Sequence, residues 1–243
     1  MTKLPDRLKL IAENINQGET MADIGTDHGF LPFYLWKNGI CPKIIITDIS
    51  EASLEKAKGI FREYPENAGV DFREGDGLGV LLDGEVDTVI IAGMGGVLIT
   101  RILGGDILKT LSFKRYILQP RNGSGKLRYW LEKAGFSILS ENLAAEGKFI
   151  CEIITAKPPA RTKEAPSLKE YRDEIEYEMP RKLPDSDKEL FARFINKKLA
   201  EENNIFKSMV SGKTAAYTKI ERSKIRIKFL EGLLKEDTEN DVF

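Results

Sequence analysis

Four acidic or glycine-rich clusters follow one another in this chain, each at the end of a short strand-like run. They are Asp23-Ile24-Gly25-Thr26-Asp27-His28-Gly29, Thr47-Asp48, Gly75-Asp76-Gly77 and Ala92-Gly93-Met94-Gly95-Gly96. The runs before them cover residues 21–24, 43–47, 70–73 and 88–91, and the β-branched second run has the pattern of a strand buried on both faces. Helical patterns fall between the runs. Residues 30–37 read as a helix ending at Asn38-Gly39, and Ser50 is placed to cap a helix through Leu54, Ala57 and Phe61. A fifth strand at 116–118 precedes a helix around Leu127, Trp130 and Leu131, and strands at 136–139 and 149–154 close the unit. An amphipathic helix carrying Leu4, Leu8, Ile11, Ala12 and Ile15 opens it. This alternation predicts an α/β fold with a doubly wound, mostly parallel sheet. Such sheets bind ligands at the carboxyl ends of their strands, so the four clusters should converge on one site.

The pattern changes at Lys157-Pro158-Pro159, and three units are expected: a sheet domain over 1–157, a proline-containing linker with short helical pieces over 158–184, and a helical hairpin over 185–243. Leu190, Phe194, Ile195, Leu199, Ile205, Phe206 and Met209 form one apolar stripe of that hairpin, and Tyr217, Ile220, Ile227, Leu230 and Leu234 the other. Ser211-Gly212 breaks the two, and the tail from Glu236 onward is expected to fray. With 37 basic and 38 acidic residues the whole chain gives no hint of a nucleic-acid partner. Charge is nonetheless segregated: Lys213, Lys219, Arg222, Lys224, Arg226 and Lys228 face a single acid, Glu221. A solvated helix face is the bland explanation, and a surface tracking a nucleic-acid backbone the functional one. The two cysteines, Cys41 and Cys151, form no Cys-x-x-Cys pair, which argues against a disulfide framework or a zinc site. No signal-peptide pattern opens the chain, and the most apolar window, 89–99, is too short to span a bilayer. A cytoplasmic, monomeric protein without metal or membrane partner is expected.

The clusters suit a nucleoside cofactor with a positive centre. Glycines admit the ligand to the backbone, and separate carboxylates can take ribose hydroxyls and a base amine. Dinucleotide enzymes share this logic, but their Gly-x-Gly-x-x-Gly needs a glycine where Asp27 stands, and a carboxylate there would repel a pyrophosphate. Asp48 suits the ribose in either class, and Asp76 can accept from an adenine amine. These features point to S-adenosylmethionine and methyl transfer. The fourth cluster lacks the Asn-Pro-Pro-Tyr with which many enzymes grip an exocyclic amine, which favours a ring nitrogen as the target. His28, the one histidine, and Gln119-Pro120-Arg121 at the fifth strand's end are each readable as structural or functional.

Residues 23–32 (Asp-Ile-Gly-Thr-Asp-His-Gly-Phe-Leu-Pro), Gly-Asp-Gly-Leu at 75–78, Ile-Ala-Gly-Met-Gly-Gly at 91–96, Leu-Gln-Pro-Arg at 118–121 and Glu-Gly-Lys-Phe at 146–149 resemble the bacterial tRNA adenine N1-methyltransferases that modify position 22. The resemblance runs from residue 6 to about 157 and more loosely through the tail, and 158–183 matches poorly. It implies a seven-stranded, Rossmann-like methyltransferase sheet, a C-terminal coiled-coil hairpin, S-adenosylmethionine as cofactor and tRNA as partner. The candidate cofactor-binding residues are Asp23, Gly25, His28, Asp48, Ile49, Asp76, Gly77, Ala92, Gly93, Met94 and Gly95. Asp27 is the candidate catalytic residue, and Gly96, Gln119, Arg121, Lys219, Arg222, Lys224 and Arg226 are candidate substrate contacts. On the residues alone a methyltransferase for another RNA, protein or small molecule, a non-catalytic RNA-binding module and a dehydrogenase also stay open.

Overall fold

Met21, Ala22, Asp23 and Ile24 are all buried, so the first strand, β1 (Met21–Ile24), must be covered on both sides. The computed structural model shows how, describing residues 4–64, 69–160, 164–172, 174–184, 187–211 and 217–239. Beside β1 lie β2 (Ile44–Asp48) and β4 (Thr88–Met94), both parallel to it, with β3 (Val70–Glu74) beyond β2 and β5 (Arg115–Pro120) beyond β4. β7 (Phe149–Lys157) runs antiparallel to β5, and β6 (Ser137–Glu146) antiparallel to β7. The seven strands form one sheet in the order β3-β2-β1-β4-β5-β7-β6.

Side-chain alternation along the strands separates two cores. Ala22, Ile24, Ile45, Val89 and Ile91 pack on one face with α4 (Gly96–Gly105) and α6 (Ser124–Lys133), through Ile99, Leu103, Leu127 and Trp130. Met21, Ile44, Ile46 and Ile90 pack on the other with α1 (Asp6–Glu13), α2 (Phe30–Lys37) and α3 (Glu51–Phe61), through Ile11, Leu35, Leu54 and Phe61. Ser50 caps α3 by accepting from the Ser53 amide.

Three features depart from the sequence reading. β4 continues through the glycine cluster to Met94, with a bulge between Ala92 and Met94, so that Gln119 and Pro120 also belong to a strand. Between residues 96 and 112, where the pattern announces no element, the chain forms α4 and α5 (Ile107–Ser112), the latter capped by Asp106. The described residues from 158 to 183, expected within a linker over 158–184, fall in the sheet unit and form short 3-10 turns there. Ile175, Tyr177 and Met179 are buried there. The fully desolvated Arg128 guanidinium donates to Glu141, to Glu152 and to the Tyr177 carbonyl, while Glu141 Oε2 accepts from the amides of Arg181 and Lys182. A buried cation thus finds its partners partly in this segment, which fastens it down.

The second unit, 184–243, contains α7 (Lys188–Ser211) and α8 (Tyr217–Glu239), which pair as a hairpin. Phe194, Ile195 and Leu230 are buried, as is a polar cluster in which Glu202 accepts from Ser223 Oγ and Arg226 Nε, at 2.6 and 2.8 Å. Gly212, Lys213 and the residues beyond 239 lie outside the described residues. So does the expected start of the hairpin at 185.

Candidate active site

Strand order reverses between β1 and β4, and the crevice of such a sheet opens at their carboxyl ends. The four clusters meet there through specific contacts. The amides of Gly25 and Thr26 both donate to the Thr47 carbonyl, at 2.9 and 3.0 Å, tying the first cluster to the second. The Gly75 amide donates to the Asp48 carbonyl at 3.0 Å, tying the second to the third. Gly25 has φ +76°, and a Cβ there would stand 2.2 Å from the Met94 methyl, so its missing side chain brings the first cluster against the fourth.

The carboxylates take different places around this frame. Asp48 Oδ1 accepts from the Ser50 amide at 2.9 Å and Oδ2 from the Asp27 amide at 3.3 Å. Asp76 is exposed after β3, at the start of a 3-10 turn over Gly77–Val80. Asp27 is exposed and left-handed (φ 53°), a conformation that aspartate tolerates better than most residues. Its carboxylate accepts from His28 Nδ1 at 2.8 Å and lies 3.8 Å from Lys56 Nζ. The His28 ring stacks on Phe30, centroids 5.4 Å apart. Asp23 is only 6% exposed, and burial, with a smaller push from Asp48, lifts its carboxyl to about 6 against the opposing Thr26 hydroxyl dipole and the Arg7 charge.

Behind the β4 bulge Gln119 joins a polar group with Arg7, a residue that the sequence reading does not single out. Gln119, 2% exposed, accepts at Oε1 from the Gly93 amide and from Arg7 Nη1, both at 3.0 Å, and donates from Nε2 to the Pro120 carbonyl. Arg7 also turns Nε to Glu146, at 3.3 Å. Nothing local marks Arg7: it is one charge in an amphipathic helix, and only the fold carries it to the strand ends.

The expected site residues therefore divide. Asp23, Gly25, Asp27, His28, Asp48, Asp76, Gly77, Ala92, Gly93, Met94 and Gly95 lie at the carboxyl ends of β1–β4, with Ile49, 70% exposed, beside them. Arg121 is exposed immediately after β5, its amide bonded to the Met94 carbonyl. Gln119 and Gly96, expected as substrate contacts, are buried. The amide of Gly96 donates to the Asn122 carbonyl, and the polar ends of Gln119 are engaged within the protein. In the hairpin unit Lys219, Arg222 and Lys224 are exposed, whereas Arg226 is bound to Glu202. Among the described residues no group of His, Cys, Asp or Glu could hold a metal ion, and no helix is long and apolar enough to cross a membrane.

Residues 4–154 match a family model described as a methyltransferase domain. Over 155 residues the chain is 37% identical to the tRNA (adenine(22)-N(1))-methyltransferase of Bacillus subtilis (strain 168), a match covering 64% of this chain and 65% of that protein. The chain thus matches just under two thirds of that relative's length. In structure it resembles the B. subtilis m1A22 tRNA methyltransferase TrmK, with a TM-score of 0.71 at 27% identity over 98% of this chain and 99% of that one. It also resembles an uncharacterised protein of Listeria monocytogenes serotype 4b, with a TM-score of 0.81 at 26% identity over 96% and 100%.

Proposed function

The chain belongs to the methyltransferase-domain family, and from that premise we propose that it moves a methyl group from S-adenosylmethionine to N1 of an adenine in tRNA, at position 22. The observation that carries this reading is the meeting of four clusters at one reversal of strand order, with bare backbone between separate carboxylates. The curated relative, named for the same reaction, supplies the substrate and the atom.

The residues present fit the cofactor. The glycine cradle at Gly25 and Gly93 is one that a side chain would fill or distort. Asp48 keeps lone pairs for ribose hydroxyls beyond those given to the loop, and exposed Asp76 can accept from the adenine amine. S-adenosylmethionine, when bound, supplies an electrophilic methyl group on a sulfonium. Adenine N1 already holds an in-plane lone pair, so the protein has no proton to remove before attack and contributes mainly alignment. The methylated base is cationic, and Asp27, exposed within the first cluster, is the carboxylate we assign to stabilising that charge. N1 lies on the Watson–Crick edge, so the target base must be unpaired or drawn from its stack.

On this reading the protein works in the cytoplasm as a monomer, and the exposed cations of α8 contact tRNA phosphates. Calorimetric titration tests the cofactor assignment. S-adenosylmethionine is expected to bind and NAD not to, and Asp76→Ala to weaken binding by ~1.5–3 kcal/mol, the worth of a hydrogen bond to a charged acceptor. Binding of NAD alone would replace the methyltransferase reading with a dehydrogenase one.

A further inference from the structure

The crevice is acidic, rimmed by Asp23, Asp27, Asp48 and Asp76. S-adenosylmethionine ends in an α-amino acid carrying both an ammonium and a carboxylate. Carboxylates around the rim suit the ammonium, but they repel the ligand's own carboxylate, which needs a cation of its own. Arg7 is a cation held at this place from within the protein. Its side chain is 20% exposed, its Nη1 reaches Gln119 beside the Gly93 bulge, and its charge bears on the buried Asp23.

We propose that Arg7 binds the carboxylate of the cofactor's amino-acid end, with Gln119 and Glu146 holding the guanidinium in position. The inference rests on the methyltransferase reading given above. A guanidinium has five N–H donors in a planar fork. Glu146 takes Nε and Gln119 takes one N–H of Nη1, while Nη2 has no partner among the described residues. One N–H of Nη1 and both of Nη2 are thus left for the oxygens of a carboxylate, which arginine commonly holds through paired N–H donors. A role as a strut between α1 and the sheet would be met by the Nε and Nη1 contacts alone and gives no reason for a third nitrogen without a partner.

Gln119 makes the placement exact in one further respect. Its Oε1 accepts simultaneously from Arg7 and from the Gly93 amide, so the guanidinium and the β4 bulge are referred to the same atom. Arg7 therefore sits in register with the backbone against which the cofactor is expected to lie.

The test compares two ligands on two proteins by calorimetry without tRNA. The ligands are S-adenosylmethionine and its decarboxylated analogue, which keeps the adenosine, sulfonium and ammonium. The proteins are wild type and Arg7→Met, which retains most of the aliphatic stem. Wild type should bind the analogue about ten- to a hundredfold more weakly than S-adenosylmethionine. Arg7→Met should lose the same factor for S-adenosylmethionine and nothing for the analogue, so that the two losses do not add. Arg7→Lys, which keeps the charge without the fork, should fall between, and serves also if the methionine variant does not fold. Equal losses on both ligands would reduce Arg7 to a strut and overturn the proposal. So would unchanged affinity for both, and a separate titration with tRNA that then showed weakened binding would make the anion an RNA phosphate. A wild-type protein that bound neither ligand would sink the methyltransferase reading itself, a result distinct from a wild type that binds both while Arg7→Met is indistinguishable from it.

Discussion

At Asp23 a carboxyl group is folded into a strand end where little water reaches it, and its titration follows from that. Its folded value of about 6 stands above the unfolded 3.8, so the native state holds the proton more tightly. Stability is therefore lost as pH rises between roughly those two values, and the cost is complete above them, at about 3 kcal/mol for a shift of some two units. Asp23→Asn should melt like wild type below about pH 4 and at higher temperature than wild type at pH 8, while binding the cofactor more weakly. Thermal melts across that range check it, and an identical pH dependence in the variant would contradict it. Asp27 presents the opposite case. Its pairings with His28 and Lys56 are exposed and of small energetic weight. Asparagine tolerates the left-handed backbone. Asp27→Asn should accordingly keep stability and cofactor affinity while slowing single-turnover methyl transfer about tenfold or more; a wild-type rate would remove Asp27 from the chemistry.

Among the elements, α4 and α6 meet where Gly96 and Gly123 approach. A Cβ on Gly96 would stand 2.3 Å from the Gly123 carbonyl oxygen and 2.8 Å from its carbon, both backbone atoms that cannot turn aside. Gly96→Ala is expected to cost about 1–3 kcal/mol by chemical denaturation, and an unchanged midpoint would mean that the two helices can separate freely. The position also shows what could be read beforehand. The strands were legible because their buried runs and glycine ends are local signals, and the cofactor clusters came with them. α4 and α5 were not, since Gly-Val-Leu-Ile-Thr-Arg-Ile-Leu-Gly-Gly has apolar residues on most sides and no cap at its start. The segment around Tyr177 was not legible either, because what holds it is a buried arginine some fifty residues away in sequence. Gln119 reads as a substrate contact because the fifth run stops at residue 118, two residues before β5 ends. Arg7 carried no signal at all, as its partners Gln119 and Glu146 come from distant strands.

Across the whole molecule, the sheet unit holds the candidate chemistry and the hairpin unit holds the concentrated positive charge. Among the described residues, α8 exposes the cations Lys219, Arg222, Lys224 and Lys228, and Lys224 pairs with Glu221 near the surface, a pairing that a phosphate can displace. Replacing those four by alanine should weaken tRNA binding and reduce its logarithmic salt slope by up to about 3. Arg226→Ala should instead lower the melting temperature, since it strips a partner from the buried Glu202. Equal slopes for the quadruple variant and wild type would make the hairpin's charge a solvated face. The reaction itself is tested most directly with two unmodified tRNA transcripts, identical except that one carries guanine in place of adenine at position 22, each incubated with methyl-labelled S-adenosylmethionine and digested to nucleosides. 1-Methyladenosine is expected from the first transcript and no incorporation into the second; label in both, or in a nucleoside other than 1-methyladenosine, would contradict methyl transfer to N1 of adenine 22.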